Sequence, residues 1–381
     1  MKRKLFVSAI CFYILLACGT ILNAANASAK ETDMKNSRRG LTNDKDWLSE
    51  KPEPVFDMTN VTLKKTNAEV YLVPVYSYGA ISYDENMTFD VAINSPVMLD
   101  DTMHGIDLSC KSSNKKVQAS ASLSENILHF KIRANQKCKT KLTIYIAKKK
   151  FQIKVSIKPV NISANSLLLE KGKTKKLKLT GNPKGITWSS SNKKIATVSK
   201  KGVVKGKRTG NVMISAKIGK RRVGCSVSVT TSALKKVCER ASYIGANWQY
   251  SQAKRALPGY YDCSSLVWKA YTECAGVNFG SSNYPGTSST EAVWCNANNR
   301  LIPGGYSYAR VLNMQLNPGD LIFKSRSLSN PFYTTYHVEM FTGYVCLGYG
   351  SNGKPIITSL WASRAPGYSA VSGSLLARPV K

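Results

Sequence analysis

The run Ser112-Ser113-Asn114-Lys115-Lys116-Val117 returns as Ser190-Ser191-Asn192-Lys193-Lys194-Ile195, and two alternating segments follow each copy, ending near Ile157 and Val229. A turn that recurs with the same strands behind it marks a duplicated unit. The alternation runs through Lys141-Leu142-Thr143-Ile144-Tyr145-Ile146, Phe151-Gln152-Ile153-Lys154-Val155-Ser156-Ile157, Lys176-Leu177-Lys178-Leu179, Val212-Met213-Ile214-Ser215-Ala216 and Cys225-Ser226-Val227-Ser228-Val229. Period two bounded by Gly, Asn and Lys turns predicts half-buried antiparallel strands. Several such strands at short spacing predict β-sandwiches. We expect two in tandem, over residues 55–159 and 160–231, the first more diverged.

A chain of 381 residues exceeds one ordinary domain, and 43% apolar with 9% aromatic residues suffices for packed cores. Lys2, Arg3 and Lys4 precede the apolar run Leu5 to Leu16, and Ala25-Asn26-Ala27 or Ala27-Ser28-Ala29 offers a small-residue cleavage site. Residues 1–29 thus read as a signal peptide, and the mature protein as exported. Alternatively, Leu15-Leu16-Ala17-Cys18 resembles a bacterial lipobox, which would lipidate Cys18 and tie the protein to a membrane. An uncleaved anchor would need about 20 apolar residues, more than this run supplies. Residues 30–54 are polar, carry Pro52 and Pro54, and read as a linker.

The net charge of +33 is concentrated: residues 160–230 hold 17 Lys or Arg against one acid, Glu170. Such a surface draws polyanions, whether nucleic acid, anionic lipid or a phosphate-rich wall polymer. Export argues against nucleic acid, and no aromatic stacking series runs among the lysines. The bland alternative is a solvated β surface decorated with lysine. Of ten cysteines, Cys11 and Cys18 fall in the signal. A free thiol at Cys263 would leave the rest an odd number, so complete disulfide pairing is not expected. No CxxC spacing occurs, and His104, His129 and His337 are scattered, so neither a metal site nor a cofactor is expected.

The second repeat closely resembles the bacterial Ig-like group 2 module. The resemblance rests on Thr187-Trp188-Ser189-Ser190-Ser191-Asn192, Ile195-Ala196-Thr197-Val198, Gly202-Val203-Val204 and Gly210-Asn211-Val212-Met213-Ile214. It implies a surface spacer or adhesive module rather than chemistry. The first repeat keeps the Ser-Ser-Asn turn but has Cys110 where Trp188 would fall, and is read as a diverged relative.

After Thr231 the texture changes. Leu234, Val237, Ala241 and Ile244 recur at helical spacing, Pro258-Gly259 breaks the chain, and Leu266, Val267, Ala270 and Tyr271 give a second helix its apolar face. The segment Tyr261-Asp262-Cys263-Ser264-Ser265 therefore places Cys263 at a helix N-terminus, where free amides and the dipole favour a thiolate. His337, the only imidazole after Thr231, opens a predicted strand, where it could take the thiol proton and later protonate a leaving amine. For an isolated pair the competing reading is a small buried hydrophobe and a satisfied core or surface imidazole.

Three motifs in order, Asp262-Cys263-Ser264-Ser265-Leu266-Val267, Pro318-Gly319-Asp320-Leu321-Ile322-Phe323 and His337-Val338-Glu339-Met340, make residues 232–381 resemble the NlpC/P60 family of cell-wall cysteine peptidases. The fold class implied for the chain is multidomain: all-β Ig-like sandwiches followed by an α+β papain-like domain. The resemblance implies a peptidoglycan hydrolase cutting stem peptides, most often between D-γ-glutamate and the following diamino acid, at the wall or surface of a bacterium. Cys263 would be the nucleophile and His337 the base. Asp262 and Ser264 would either contact substrate or merely cap the helix. Asp320 reads as a turn residue.

The family's third polar residue, which orients the imidazole, sits on the strand after the histidine. There this chain offers Tyr349 or Asn352, neither of them the usual type. Trp248 and Tyr250 would line the substrate site or pack in the core. Tyr333, Thr334, Thr335 and Tyr336 would form a groove edge or a plain loop, and the long segment from Cys274 to Arg310 a groove wall or a surface insertion. A wall-binding or adhesion protein with impaired catalysis, or an amidase or transpeptidase on the same fold, are the alternatives.

Overall fold

In the computed structural model, residues 56–77, 80–82, 87–103, 105–327, 329–367 and 374–380 are described. The signal-peptide, lipobox and linker readings lie outside them. In the first repeat, Cys138–Ile146 pairs antiparallel with Lys149–Pro159 and with Leu108–Ser112, and Asn67–Leu72 joins Lys149–Pro159 in parallel. A second sheet runs in the order Thr62–Leu63, Met87–Asn94, Ile127–Arg133, Gln118–Ser124. The second repeat follows the same plan. Gly210–Ile218 lies between Thr187–Ser190 and Arg221–Thr230, Ser166–Glu170 adds in parallel, and Thr174–Lys176, Val203–Gly206 and Ala196–Val198 form the other sheet.

The duplicated turn is built the same way twice. Ser112 Oγ accepts from the Asn114 amide at 3.2 Å and Asn114 Oδ1 from the Lys116 amide at 3.0 Å. Ser190 and Asn192 repeat this at 3.3 and 3.0 Å, toward the amides of Asn192 and Lys194. Short polar side chains that satisfy their own backbone are what make this sequence turn. Cys110 and Trp188 each stand two residues before the turn serine on equivalent strands. Each unit fills its own core, with Leu123, Leu128, Phe130 and Leu142 in the first and Ala196, Val204, Ile214 and Val227 in the second.

Helices then appear: α1 (Ser232–Asn247), α2 (Cys263–Ala275), α3 (Ser288–Ala297) and α4 (Tyr308–Leu312). They accompany an antiparallel sheet ordered Pro355–Trp361, Thr335–Tyr349, Leu321–Ser325, Leu375–Ala377. The Thr231 side chain caps α1 by accepting from the Leu234 amide, and Leu234, Val237, Ala241 and Ile244 are its buried face. These meet Tyr271 and Phe279 from the α2 region and Phe323 and Met340 from the sheet. No helix among the described residues is long and apolar enough to cross a bilayer.

Alternation at Cys225-Ser226-Val227-Ser228-Val229 predicts a half-buried strand, yet Ser226 and Ser228 are buried as well, at 1% and 2% exposure. Their face packs against Thr335–Tyr349 instead of facing water. Ser228 Oγ donates to Asn211 Oδ1 at 2.7 Å, and Asn211 Nδ2 donates to the Met314 and Leu316 carbonyls at 2.9 and 2.7 Å. Met213 enters an aromatic cluster with Phe341, Tyr344 and Trp361, and the Cys346 amide donates to the Asn165 carbonyl at 2.9 Å. The second sandwich is thus a packing partner of the helical domain.

Asn211→Ala strips donors from two carbonyls and an acceptor from Ser228. Urea denaturation is expected to show a loss of about 1–3 kcal/mol; no loss would mean water replaces all three bonds.

Candidate active site

Asp262 stands before α2 in an extended conformation, and its carboxylate accepts from the Ser265 amide at 2.8 Å while Ser265 Oγ accepts from the Asp262 amide at 2.8 Å. This reciprocal cap fixes where α2 begins, and Cys263 is its first residue. The cap leaves the amides of Cys263 and Ser264 without a protein partner among the described residues. His337 lies on Thr335–Tyr349, and its ring stands beside the Cys263 side chain, which is the largest influence raising the imidazole's pKa.

The imidazole is held from behind by a group two residues along its own strand. Glu339 shares a face with His337 because side chains alternate along a strand, and its Oε1 lies 3.5 Å from His337 Nε2. Lys324 Nζ at 2.7 Å and Arg364 Nη2 at 3.0 Å clamp the same carboxylate. Burial opposes ionisation of Glu339, but bonds from His337 and Lys324 and the charges of Arg364 and Lys324 outweigh it and bring its pKa to about 2. Bonding to Cys263, then to Glu339, outweighs burial at His337 and raises its pKa to about 9. The imidazolium is therefore the resting form at neutral pH.

Tyr349 and Asn352, the expected third members, are not brought to the imidazole. Tyr349 is twelve residues beyond His337 on the same strand, on the order of 40 Å away at an extended rise. Its hydroxyl lies near Ser215 of the second sandwich, and its ring packs on Gly224, within 2.9 Å of where a Cβ there would be. Asn352 occupies the exposed hairpin tip and accepts from the Lys354 amide at 2.9 Å. Glu339, rather than either of them, contacts the imidazole. Period two alone could have found it, since His337 and Glu339 are separated by one residue.

Asp262 and Ser264 turn inward rather than toward a groove. Arg255 Nη1 donates to Asp262 Oδ2 at 3.2 Å, Ser264 Oγ at 3.0 Å and the Gly286 carbonyl at 3.0 Å, so both flanking side chains are spent on the scaffold. Trp248 caps α1 and is sandwiched between Arg240 and Lys269, 5.0 and 4.9 Å from its ring. Tyr250 does reach the site. A short parallel pairing sets it beside Tyr261, it stays 54% exposed, and burial, then the nearby Cys263 and Asp262, raises its pKa. Tyr284, Tyr333 and Tyr336 are exposed too, Tyr336 immediately before His337. Asp320 is buried in a bidentate pair with Arg378, both contacts 2.8 Å, and holds the Asn317 amide, so it is a turn residue.

Burial raises the thiol pKa of each of the other described cysteines. All eight described are unpaired, and burial pushes the thiols of Cys225 and Cys346 up to about 12 and about 11. His129, the other described imidazole, is paired with Asp90 in the first sandwich.

The paired sandwiches, the Trp188 strand and the twice-built Ser-Ser-Asn turn together settle the character of the middle of the chain. Residues 156–229 match the bacterial Ig-like domain, group 2. Among solved structures, the chain is similar to the bacterial integrin-binding protein invasin at 16% identity and TM-score 0.26, over 44% of this chain and 38% of that one. It is similar to a C-terminal fragment of intimin at 13% and 0.25, over 64% and 84%. Domains 5-6 of the S-layer protein SbsC align at 12% and 0.20, over 45% and 97%. No curated protein matches the chain.

Beyond the Ig-like modules, the segment between Cys274 and Arg310 is no surface insertion. Its helix α3 is fastened to the approach of the His337 strand, Ser288 Oγ and Ser289 Oγ donating to the Thr335 and Phe332 carbonyls at 3.4 and 3.0 Å. One turn on, Glu291 is 0% exposed and neither carboxyl oxygen has a protein partner. Burial, then the charges of Cys263 and Asp262, holds its pKa well above the ordinary carboxylate value, so it is buried as the neutral acid. Its signal in the sequence is the inward-face pattern i, i+3, i+4, i+7 of Ser288, Glu291, Ala292 and Cys295.

Because the folded pKa of Glu291 is raised, its contribution to stability is full below about 4.5 and is lost as pH rises. Glu291→Gln, which mimics the neutral acid, should gain on the parent chain in thermal melts as pH climbs from 5 to 8. A gap that narrows with pH would show an ionised, paired Glu291 instead.

Proposed function

We propose that this protein is an exported peptidoglycan hydrolase, a thiol endopeptidase cleaving an amide of the stem peptide. The observation that carries the reading is the Cys263–His337–Glu339 chain at the N-terminus of α2, with the imidazole protonated by its surroundings. The three ordered motifs of the NlpC/P60 resemblance supply the substrate class: the bond between D-γ-glutamate and the diamino acid. Export rests on the basic and apolar N-terminal run.

The geometry supports the following steps. With Nε2 turned to Glu339, Nδ1 is the nitrogen left for the thiol. Cys263 sulfur, its proton held on His337, attacks the scissile carbonyl carbon. The free amides of Cys263 and Ser264 then receive the oxyanion. The carbonyl re-forms as the C–N bond breaks, and the proton on His337 goes to the departing amine. The resulting thioester is attacked by water, which gives its proton to His337. Collapse expels the thiolate and frees the carboxylate product. Glu339 holds the ring in one orientation and stabilises the imidazolium, as an acidic partner does in a triad. Arg255 keeps Asp262 and Ser264 in place, so their part is positioning.

On purified sacculi, the mature protein should release new amino groups, and Cys263→Ala should lower that rate by at least about a thousandfold. Release undiminished in the variant would exclude the mechanism, and no release from the parent protein would favour a wall-binding or adhesion protein. Fragment masses separate a peptidase from an amidase at the sugar-peptide junction or a transpeptidase.

Activity should fall as pH rises through about 9, where His337 loses its proton. Glu339→Gln removes a charge that holds that proton, so the alkaline limb should move to lower pH and kcat/KM should drop at least about tenfold. An unmoved limb would leave Glu339 a purely structural partner of Lys324 and Arg364.

A further inference from the structure

The Ig-like module carries a cavity of about 380 Å³ on a face remote in sequence from the catalytic residues, and four of the residues around it are Lys176, Lys178, Lys200 and Lys201. All four are exposed, and none makes an ion pair among the described residues. No acid lines the cavity, and its apolar wall includes Trp188 and Ile186. Like charges gathered without counter-charges repel one another, so nothing in the module's own stability explains the grouping.

The cations sit on a stiff frame. Lys200 and Lys201 are the tip of a tight turn, in which the Gly202 amide donates to the Ser199 carbonyl at 2.9 Å and the Val203 amide to Ser199 Oγ at 3.1 Å. The turn is tied to the other lysine pair by the Leu177 amide, which donates to the Gly202 carbonyl at 2.9 Å. Gly202 has φ +77°, and a Cβ there would lie 2.9 Å from the Trp188 ring, so the turn rests directly on the indole. These contacts fix the points from which the lysines spring relative to one another and to the aromatic floor.

We infer that this cavity binds a phosphodiester-linked polyol, a polymer with one negative charge per repeat on a hydroxyl-rich, weakly apolar backbone. The acid-free lysine rim meets successive phosphates, and the Trp188 edge meets the carbon backbone between them. A single indole gives no ladder on which successive nucleobases would stack. An anionic lipid surface would engage the module's basic face as a whole rather than these four lysines. Binding here is independent of the chemistry at Cys263, since such a polymer contains no amide.

The test uses the full mature chain and a poly(glycerol phosphate) oligomer, followed by calorimetry at about 0.1 M salt. Lys176→Glu, Lys178→Glu, Lys200→Glu and Lys201→Glu are combined in one variant. A control variant reverses Lys193, Lys194, Lys207 and Arg208, exposed cations of the same module outside the cavity lining. The cavity variant should lose at least about tenfold in affinity, and the control less than about threefold. Equal losses would overturn the assignment in favour of a diffuse electrostatic surface. Tighter binding of single-stranded DNA of matched charge, lost in the same cavity variant, would overturn it in favour of nucleic acid. Circular dichroism of each variant shows whether a lost affinity reflects a lost fold, and the single variants Lys176→Glu and Lys200→Glu, each expected to lose about threefold, decide the matter if the combined one is unfolded.

Discussion

The strand Thr335–Tyr349 sets the geometry of everything around it. Its first half pairs with Leu321–Ser325 and its second with Pro355–Trp361, so backbone hydrogen bonding holds it along its full length. His337 and Glu339 lie at one end and the seam with the Ig-like module at the other. Fifteen residues in extended form span on the order of 50 Å, so the strand runs from the site to the interface. Asn165, Ser215 and Gly224 of the Ig-like module receive its far end. The module thereby buttresses the sheet that carries the imidazole.

At the other end the governing effect is electrostatic. A carboxylate as buried as Glu339 is costly unless paired, and Lys324 and Arg364 supply the pairing. Once ionised, Glu339 favours a proton on His337, which faces Cys263. Glu291, buried nearby with no cation in contact, goes the other way and keeps its proton. Two buried glutamates, one against the imidazole and one near the thiol, have opposite charge states, and the difference is the presence of cations within bonding distance.

The cationic excess of the Ig-like module is likewise organised. Lysines on a polar strand face can be mere solubilising decoration, but those around Trp188 are placed by a turn whose backbone is pinned to the indole. The same module has one face buried against the helical domain, Ser226 and Ser228 included, and another left open and basic.

Local chemistry was legible in the chain. The Ser-Ser-Asn turns, the strand alternation, the capping aspartate before Cys263 and the apolar face of α1 are all set by neighbours within four residues, and each formed as the residues dictate. Period-two spacing also places Glu339 on the face of His337, and helical spacing places Glu291 on the inward face of α3. Whether Tyr349 serves the imidazole or the module seam, whether Ser228 meets water or Asn211, and which carboxyl keeps its proton depend on groups far away in sequence. Only the tertiary structure decides these, because charge pairing and burial act through space, and a strand's pattern does not reveal what packs on its second face.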